Sequence, residues 1–194
     1  MLPRRTFLRW LPLLAAPVAM LPPSPAAAAG PMTLRLRGTD YLHRWSKDGQ
    51  HEFTPADQPD LQAWRDMLTI NVHRGAATGE QLAEVANRVV GNYQRHGRIL
   101  RTDSRPRTAQ QPAEHFVAAA LGDPRFIEAV FARFVLRDGV GLVLVASHRE
   151  YGAKAGPAAS AWLGANGVAM EDALRAWTQW PGAAELDKLP ARSA

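Results

Sequence analysis

The stretch FVLRDGVGLVLVASHREYG, residues 134–152, decides the fold. The question is what precedes Asp138-Gly139. Upstream, Ile127, Val130, Phe131, Phe134 and Val135 recur at a spacing that fits a helix face, yet FIEAVFARFVL also alternates well enough for a strand. The run after the turn, LVLVAS, is rich in Val and Leu and reads as a strand. An Asp-Gly pair between two apolar runs favours antiparallel pairing through a tight turn. The reading is therefore a strand over 126–136, a turn with positive φ at Gly139, and a last strand apolar on both faces. Such a strand must be covered on both sides. In this arrangement Glu128 and Arg133 are expected near an end or an edge.

Upstream, the segment DYLHRWSKDGQHEFTP reads as a hairpin of strands 41–46 and 51–54 turning at Asp48-Gly49. RDMLTINVHR alternates, with Leu68, Ile70 and Val72 on one face and Met67, Thr69, Asn71 and His73 on the other. Thr78 and Gln81 fit a capping box, and Leu82, Val85, Ala86, Val89 and Tyr93 form the stripe of a long helix. Gly97 is placed to end that helix in a left-handed conformation. RILRTDS reads as a strand, the Pro106 and Pro112 region as a loop, and HFVAAAL as a short strand broken by Gly122-Asp123-Pro124. From Pro157 a second helix is expected, with Gly164 and Gly167 weakening its middle. The chain after Pro181 reads as a polar, frayed tail.

The chain opens MLPRRTFLRWLPLLAAPVAMLPPSPAAAAG. A basic start, an apolar run from Trp10 to Leu21 and several Ala-x-Ala choices have the layout of a cleaved secretory signal. Pro12 and Pro17 interrupt a run too short to span a membrane. Arg4 and Arg5, followed by Thr6-Phe7-Leu8-Arg9, resemble a twin-arginine signal, with Pro3 as a small departure. An ordinary signal that carries paired arginines is the alternative. The domain expectation is a signal segment over 1–29, a single domain over 30–180 and a flexible tail over 181–194, with periplasmic or secreted localisation. No transmembrane segment is expected after signal removal. Without Arg4, Arg5 and Arg9 the 23 basic residues fall to 20 against 18 acids, a net +2 instead of +5. That surplus is too small to support nucleic-acid binding. There is no cysteine, which excludes disulfides, thiolate metal sites and cysteine catalysis.

The order of elements is strand hairpin, strand, long helix, strand, three-stranded meander and C-terminal helix. It resembles the PsbP-like fold through LTINVHR, TGEQLAEVANRVVGNY, RILRTDS, FARFVLRDGVGLVLVAS and MEDALRAW. That superfamily includes extrinsic subunits of the oxygen-evolving photosystem, a nuclear-import regulator and bacterial periplasmic proteins. The resemblance implies an α+β fold: an antiparallel β-sheet with a long helix after an early strand and a C-terminal helix, layered as an α/β/α sandwich. HRWSKDGQHEFTP and NYQRHGRILRTDS also resemble a secreted bacterial family to which no activity is attached. Neither resemblance transfers a site residue, and fold alone does not give function.

The candidate chemistry is sparse. Six histidines, His43, His51, His73, His96, His115 and His148, are the candidates for metal or acid–base work, and none sits in a motif that forces a site. His43, His51, His148 and Glu150 are the metal candidates. His148 and Glu150 can share a face, while His51 and Glu52 point apart. Arg95, Arg98, Arg101, Arg105 and Arg107 form the densest basic region. On a strand their charges cannot all share a face, since Arg98 and Leu100 would oppose Ile99 and Arg101. The partner surface reduces to Arg95, Arg105 and Arg107, suited to an acidic partner protein or an anionic ligand; protection of an edge strand is the alternative role. Ser104, Ser147 and Ser160 lack the sequence context of a nucleophile. Trp45, Trp64, Trp162, Trp177 and Trp180 suit either core packing or a ligand groove between the sheet and the C-terminal helix. The expectation is an exported, non-enzymatic partner-binding or envelope-assembly module, with a metal- or small-ligand-dependent periplasmic enzyme as the alternative. No cofactor is named by the sequence.

Overall fold

The computed structural model describes residues 32–191. The expected signal segment, with Arg4 and Arg5, lies outside the described residues. Eight strands form one antiparallel sheet: β1 (Thr33–Leu36), β2 (Thr39–Lys47), β3 (Gln50–Pro55), β4 (Asp66–His73), β5 (Gly97–Arg105), β6 (Glu114–Asp123), β7 (Phe126–Arg137) and β8 (Val140–Tyr151). Helix α1 (Gly79–His96) links β4 to β5, α2 (Ala155–Ala176) follows β8, and a short α3 (Ala183–Leu186) comes last. The strand order is β1-β2-β3-β4-β8-β7-β6-β5. Two four-stranded meanders, β1–β4 and β5–β8, therefore meet along one seam, where β4 and β8 pair from Asp66↔His148 to His73↔Gly141.

The deciding stretch is a strand hairpin. Asp138 and Gly139 have φ of 53° and 72°, so both central residues are left-handed, as a two-residue turn that matches strand twist requires. Asp48-Gly49 builds the β2–β3 turn in the same way, with φ of 51° and 81°. The helix-like spacing before Asp138 arises because β7 is covered on both faces. Phe131 and Val135 belong to one core and Ala132 and Phe134 to the other. When both faces are buried, alternation disappears from the sequence.

The two cores explain the helices. The α1 stripe Leu82, Val85 and Ala86 packs on Val117, Ala132, Phe134 and Val143. On the opposite face, Met170 and Leu174 of α2 pack with Phe116, Phe131, Leu142 and Leu144. The result is a mixed α+β molecule in which the sheet dominates and a long helix lies on each face. The α1 capping box forms as expected, with Gln81 N donating to Thr78 Oγ1 at 3.3 Å and the Gln81 side chain accepting from Thr78 N at 3.1 Å. Helix α2 runs unbroken through Gly164 and Gly167.

Several expectations are corrected. Gly97 has φ of 177°, which is extended backbone, and it opens β5. It is glycine for space: a Cβ there would sit 2.1 Å from the Ala120 carbonyl oxygen. The expected alternation of β5 is broken by a bulge, because Ile99 pairs with Ala119 while Arg101 pairs with Ala118. Ile99 thus stays with the α1 core, Arg101 turns to α2, where it meets Glu171 at 3.2 Å, and Leu100 is left exposed. Arg133 is at neither an end nor an edge; it is buried mid-strand. Its guanidinium donates to both Glu114 oxygens at 3.0 and 2.8 Å, and to the carbonyls of Leu174 and Trp177 at 3.0 and 2.8 Å. It closes the C-terminal end of α2, whose last carbonyls have no intrahelical partner. The segment read as a frayed tail carries α3, and Leu186 is fully buried in the main core. Asp187 pairs with Arg74, and Arg137 donates to the Trp180 carbonyl while stacking on its ring.

Candidate functional site

Helix α1 covers β5, β6 and part of β7. The neighbouring area of the same sheet face is left open, and there the strands turn polar side chains outward. Trp45 of β2, Glu52 of β3, Thr69 of β4 and Val145 of β8 follow one another across paired strands. Together with Gln50, Met67, Asn71, Ser147 and Arg149 they floor a groove of about 670 Å³. Its walls are the 56–65 connection, with Leu61, Gln62 and Trp64, the end of α1, with Asn92 and Tyr93, and the β6–β7 turn, with Arg125 and Phe126.

The groove is built around Arg149. Its guanidinium lies 3.9 Å from the centroids of both Trp64 and Phe126, and Nε donates to Glu128 at 2.8 Å. Stacking between two aromatic faces suits a planar, weakly hydrated cation. Trp64 is held in turn by its backbone, which accepts from the Tyr151 hydroxyl at 2.7 Å. At the rim, Arg125 donates to Asp123 at 3.0 Å. Glu52 differs from these pairs. One oxygen accepts from the Gln50 amide at 2.7 Å, and no cation pairs with it among the described residues. Burial pushes its carboxyl up from the ordinary range, with the Gln50 bond and Arg149 only partly offsetting this.

The histidines fall into separate places. His43 Nε2 and His51 Nδ1 lie 2.7 and 2.8 Å from the Ser46 hydroxyl, in a buried network on the α2 face. The second ring nitrogen of His51 is buried with no hydrogen-bond partner, and burial holds His51 below the ordinary imidazole range. His148 lies between Asp66, at 2.9 Å, and Glu150, at 3.1 Å, and its ring stacks on Trp162 at 4.1 Å. His148 and Glu150 do share a face, as expected, but the two carboxylates occupy opposite ring nitrogens and do not converge on a point. His43 and His51 sit on β2 and β3, across β4 from His148. The four metal candidates therefore form two separate polar networks, and the described residues contain no group of three ligands placed to hold a metal ion.

The serines lack activation. Ser104 Oγ lies 2.8 Å from His115 Nδ1, an arrangement that resembles a nucleophile and its base. The other ring nitrogen of His115 is buried without a partner. A protonated nitrogen there would be a buried, unsatisfied donor, so the favoured tautomer carries its proton on Nδ1 and donates to Ser104. That tautomer cannot take the serine proton. Ser160 is exposed on α2, and Ser147 lies on the groove floor.

The arginine surface separates. Arg95 lies in the last turn of α1, two residues before the first residue of β5, whereas Arg105 ends β5 and Arg107 lies just beyond it. Nine extended residues place the two ends about 25 Å apart, so the three do not make one cluster. Arg101 and Arg175 are neutralised by Glu171 and Asp103. The aromatic groove also lies on the other face from the one expected. Trp162, on α2, and Trp177, at its C-terminal end, pack into the core on that face, whereas Trp45 and Trp64 line the groove beside α1. Sequence reasoning missed Glu52, Glu128 and Arg149, and it named Trp64 as a groove candidate on the other face. The available signal was the polar pair Thr69 and Asn71, with Gln50 and Glu52, on strands whose other face is apolar.

No family model matches the chain, and no curated protein matches it in sequence. Among solved structures it is similar to PA94, a Pseudomonas aeruginosa protein of unknown function, at 15% identity and a TM-score of 0.44, covering 79% of this chain and 100% of that one. That likeness is too slight to carry a conclusion for this chain. No described helix is long and apolar enough to cross a membrane.

Proposed function

We propose that the protein is an exported, non-enzymatic binding module of PsbP-like architecture that holds an extended segment of a partner protein in the groove beside α1. The observation that carries this reading is the groove itself. It has aromatic walls, a floor with polar groups spread over β2, β3, β4 and β8, and a volume of about 670 Å³. Arg149, fixed between two rings and a carboxylate, makes the floor rigid, so binding costs little reordering of the protein. The address rests on the N-terminal sequence, with Arg4 and Arg5 read by the export receptor.

The test has two arms. Replacing Arg4 and Arg5 by Lys is expected to retain precursor in the cytoplasm, read by cell fractionation; normal export would remove the twin-arginine route. Asn71→Trp, which fills the groove floor, is expected to abolish cross-linking to the partner captured from a periplasmic extract while the fold is retained. Arg105→Glu with Arg107→Glu, at the distant end of β5, is expected to leave that capture intact. Capture that survives Asn71→Trp and fails in the arginine double variant moves the partner surface to β5 and ends the groove reading.

A further inference from the structure

We infer that the groove recognises a lysine side chain of the partner segment, with Glu52 as the counter-charge. The inference rests on the groove being the binding surface and specifies what it selects. The argument is a charge balance. Arg149 is matched by Glu128 and Arg125 by Asp123. Glu52 remains as a half-buried carboxylate with no ion pair of its own among the described residues; Arg149, already paired with Glu128, acts on it only through space. Such a group is costly until a positive charge arrives.

The shape of the acceptor set selects the kind of cation. Glu52 has one oxygen already engaged by Gln50. The remaining oxygen, the Thr69 hydroxyl across the β3–β4 pairing and the Asn71 side-chain carbonyl are single acceptors from different residues. A guanidinium is a planar fork that is best met by both oxygens of one carboxylate. An ammonium carries three donors that can meet three separate acceptors. Trp45, the cross-strand neighbour of Glu52, adds an aromatic face for the cation or its alkyl stem. The groove is far larger than one diamine, which favours a lysine carried on a peptide chain over a free amine.

The experiment uses the exported protein recovered from the periplasm and follows its tryptophan fluorescence. The probes are an acetylated, amidated alanine pentapeptide with a central lysine, the same peptide with norleucine or arginine at the centre, and cadaverine. The lysine peptide is expected to bind saturably, with the norleucine peptide weaker by about tenfold or more. Glu52→Gln is expected to lower lysine-peptide affinity about tenfold and to leave norleucine binding unchanged, while Glu52→Asp retains part of the preference. Equal binding of lysine and norleucine, or an unaffected Glu52→Gln variant, overturns the inference; if Asn71→Trp still abolishes that binding, the groove reading stands alone. Failure of the protein to bind any peptide overturns the inference while partner capture still tests the groove. A cadaverine affinity equal to that of the peptide replaces the protein partner by a free diamine, and a stronger arginine peptide replaces the ammonium by a guanidinium.

Discussion

His148 shows how far one side chain is set by its neighbours. Burial alone would push its imidazole down, yet the bonds to Asp66 and Glu150 prevail and hold it above the ordinary range. A raised folded value means that its contribution to stability is complete below the ordinary value of 6.5 and is lost as pH rises through the folded value. His51, His73 and His115 run the other way. Burial depresses each, so their contribution is present above the ordinary value and lost as pH falls. Two opposite slopes are therefore superimposed near neutrality. His148→Gln is expected to remove the loss on the alkaline side and leave the acid side unchanged, as read from urea midpoints between about pH 5 and pH 9. An alkaline slope that persists in this variant would assign it to another group. Arg133 makes a related point about reading charge in a strand. Its position, mid-strand and apolar on every side in sequence, looks hostile to a cation; the partners that make it tolerable come from β6 and α2.

At the level of elements, the most informative piece is the shortest helix. Helix α3 spans only Ala183–Leu186 and is held by Leu186, by Gly182 N donating to Glu185 at 2.8 Å, and by the Arg74–Asp187 pair. Removing the Leu186 side chain leaves a cavity in a core that cannot fully collapse. Leu186→Ala is expected to cost about 3 kcal/mol and to expose the amides of α3 to hydrogen exchange ahead of global unfolding. Protection of α3 that is unchanged in this variant would mean that the ion pair alone anchors it. The tail was illegible because two leucines, Leu186 and Leu189, among small and polar residues are too few to show a periodicity. The Asp48-Gly49 and Asp138-Gly139 turns and the Thr78 cap were legible because each is a local rule written in adjacent residues. The β5 bulge and the role of Gly97 were not, since both answer to atoms of β6. The groove was hidden for the same reason: Trp45, Glu52 and Arg149 are brought together by strand order, with Trp64 set beside them by the 56–65 connection, and no short pattern contains them.

For the whole molecule, the seam between β4 and β8 separates local from distant contacts. Each meander is closed by turns between sequence neighbours, whereas the seam joins residues on either side of α1 and three further strands. Long closures are made late because their entropy must be met before the contacts reward it. Leu68→Ala, fully buried on the seam, is expected to speed unfolding with little change in refolding, and Val130→Ala, within the β7–β8 hairpin, to slow refolding, both measured by stopped-flow chevrons. Slower refolding for Leu68→Ala would place the seam in the folding nucleus. The groove floor lies across this same seam, with Glu52 and Thr69 on one meander and Ser147 and Arg149 on the other. On the proposed reading, a partner segment would grip both halves at once, and the opening that releases it would also be the opening that admits a protease. An unaccompanied copy would then be the short-lived one, and the amount of protein in the envelope would follow the amount of its partner without any separate control.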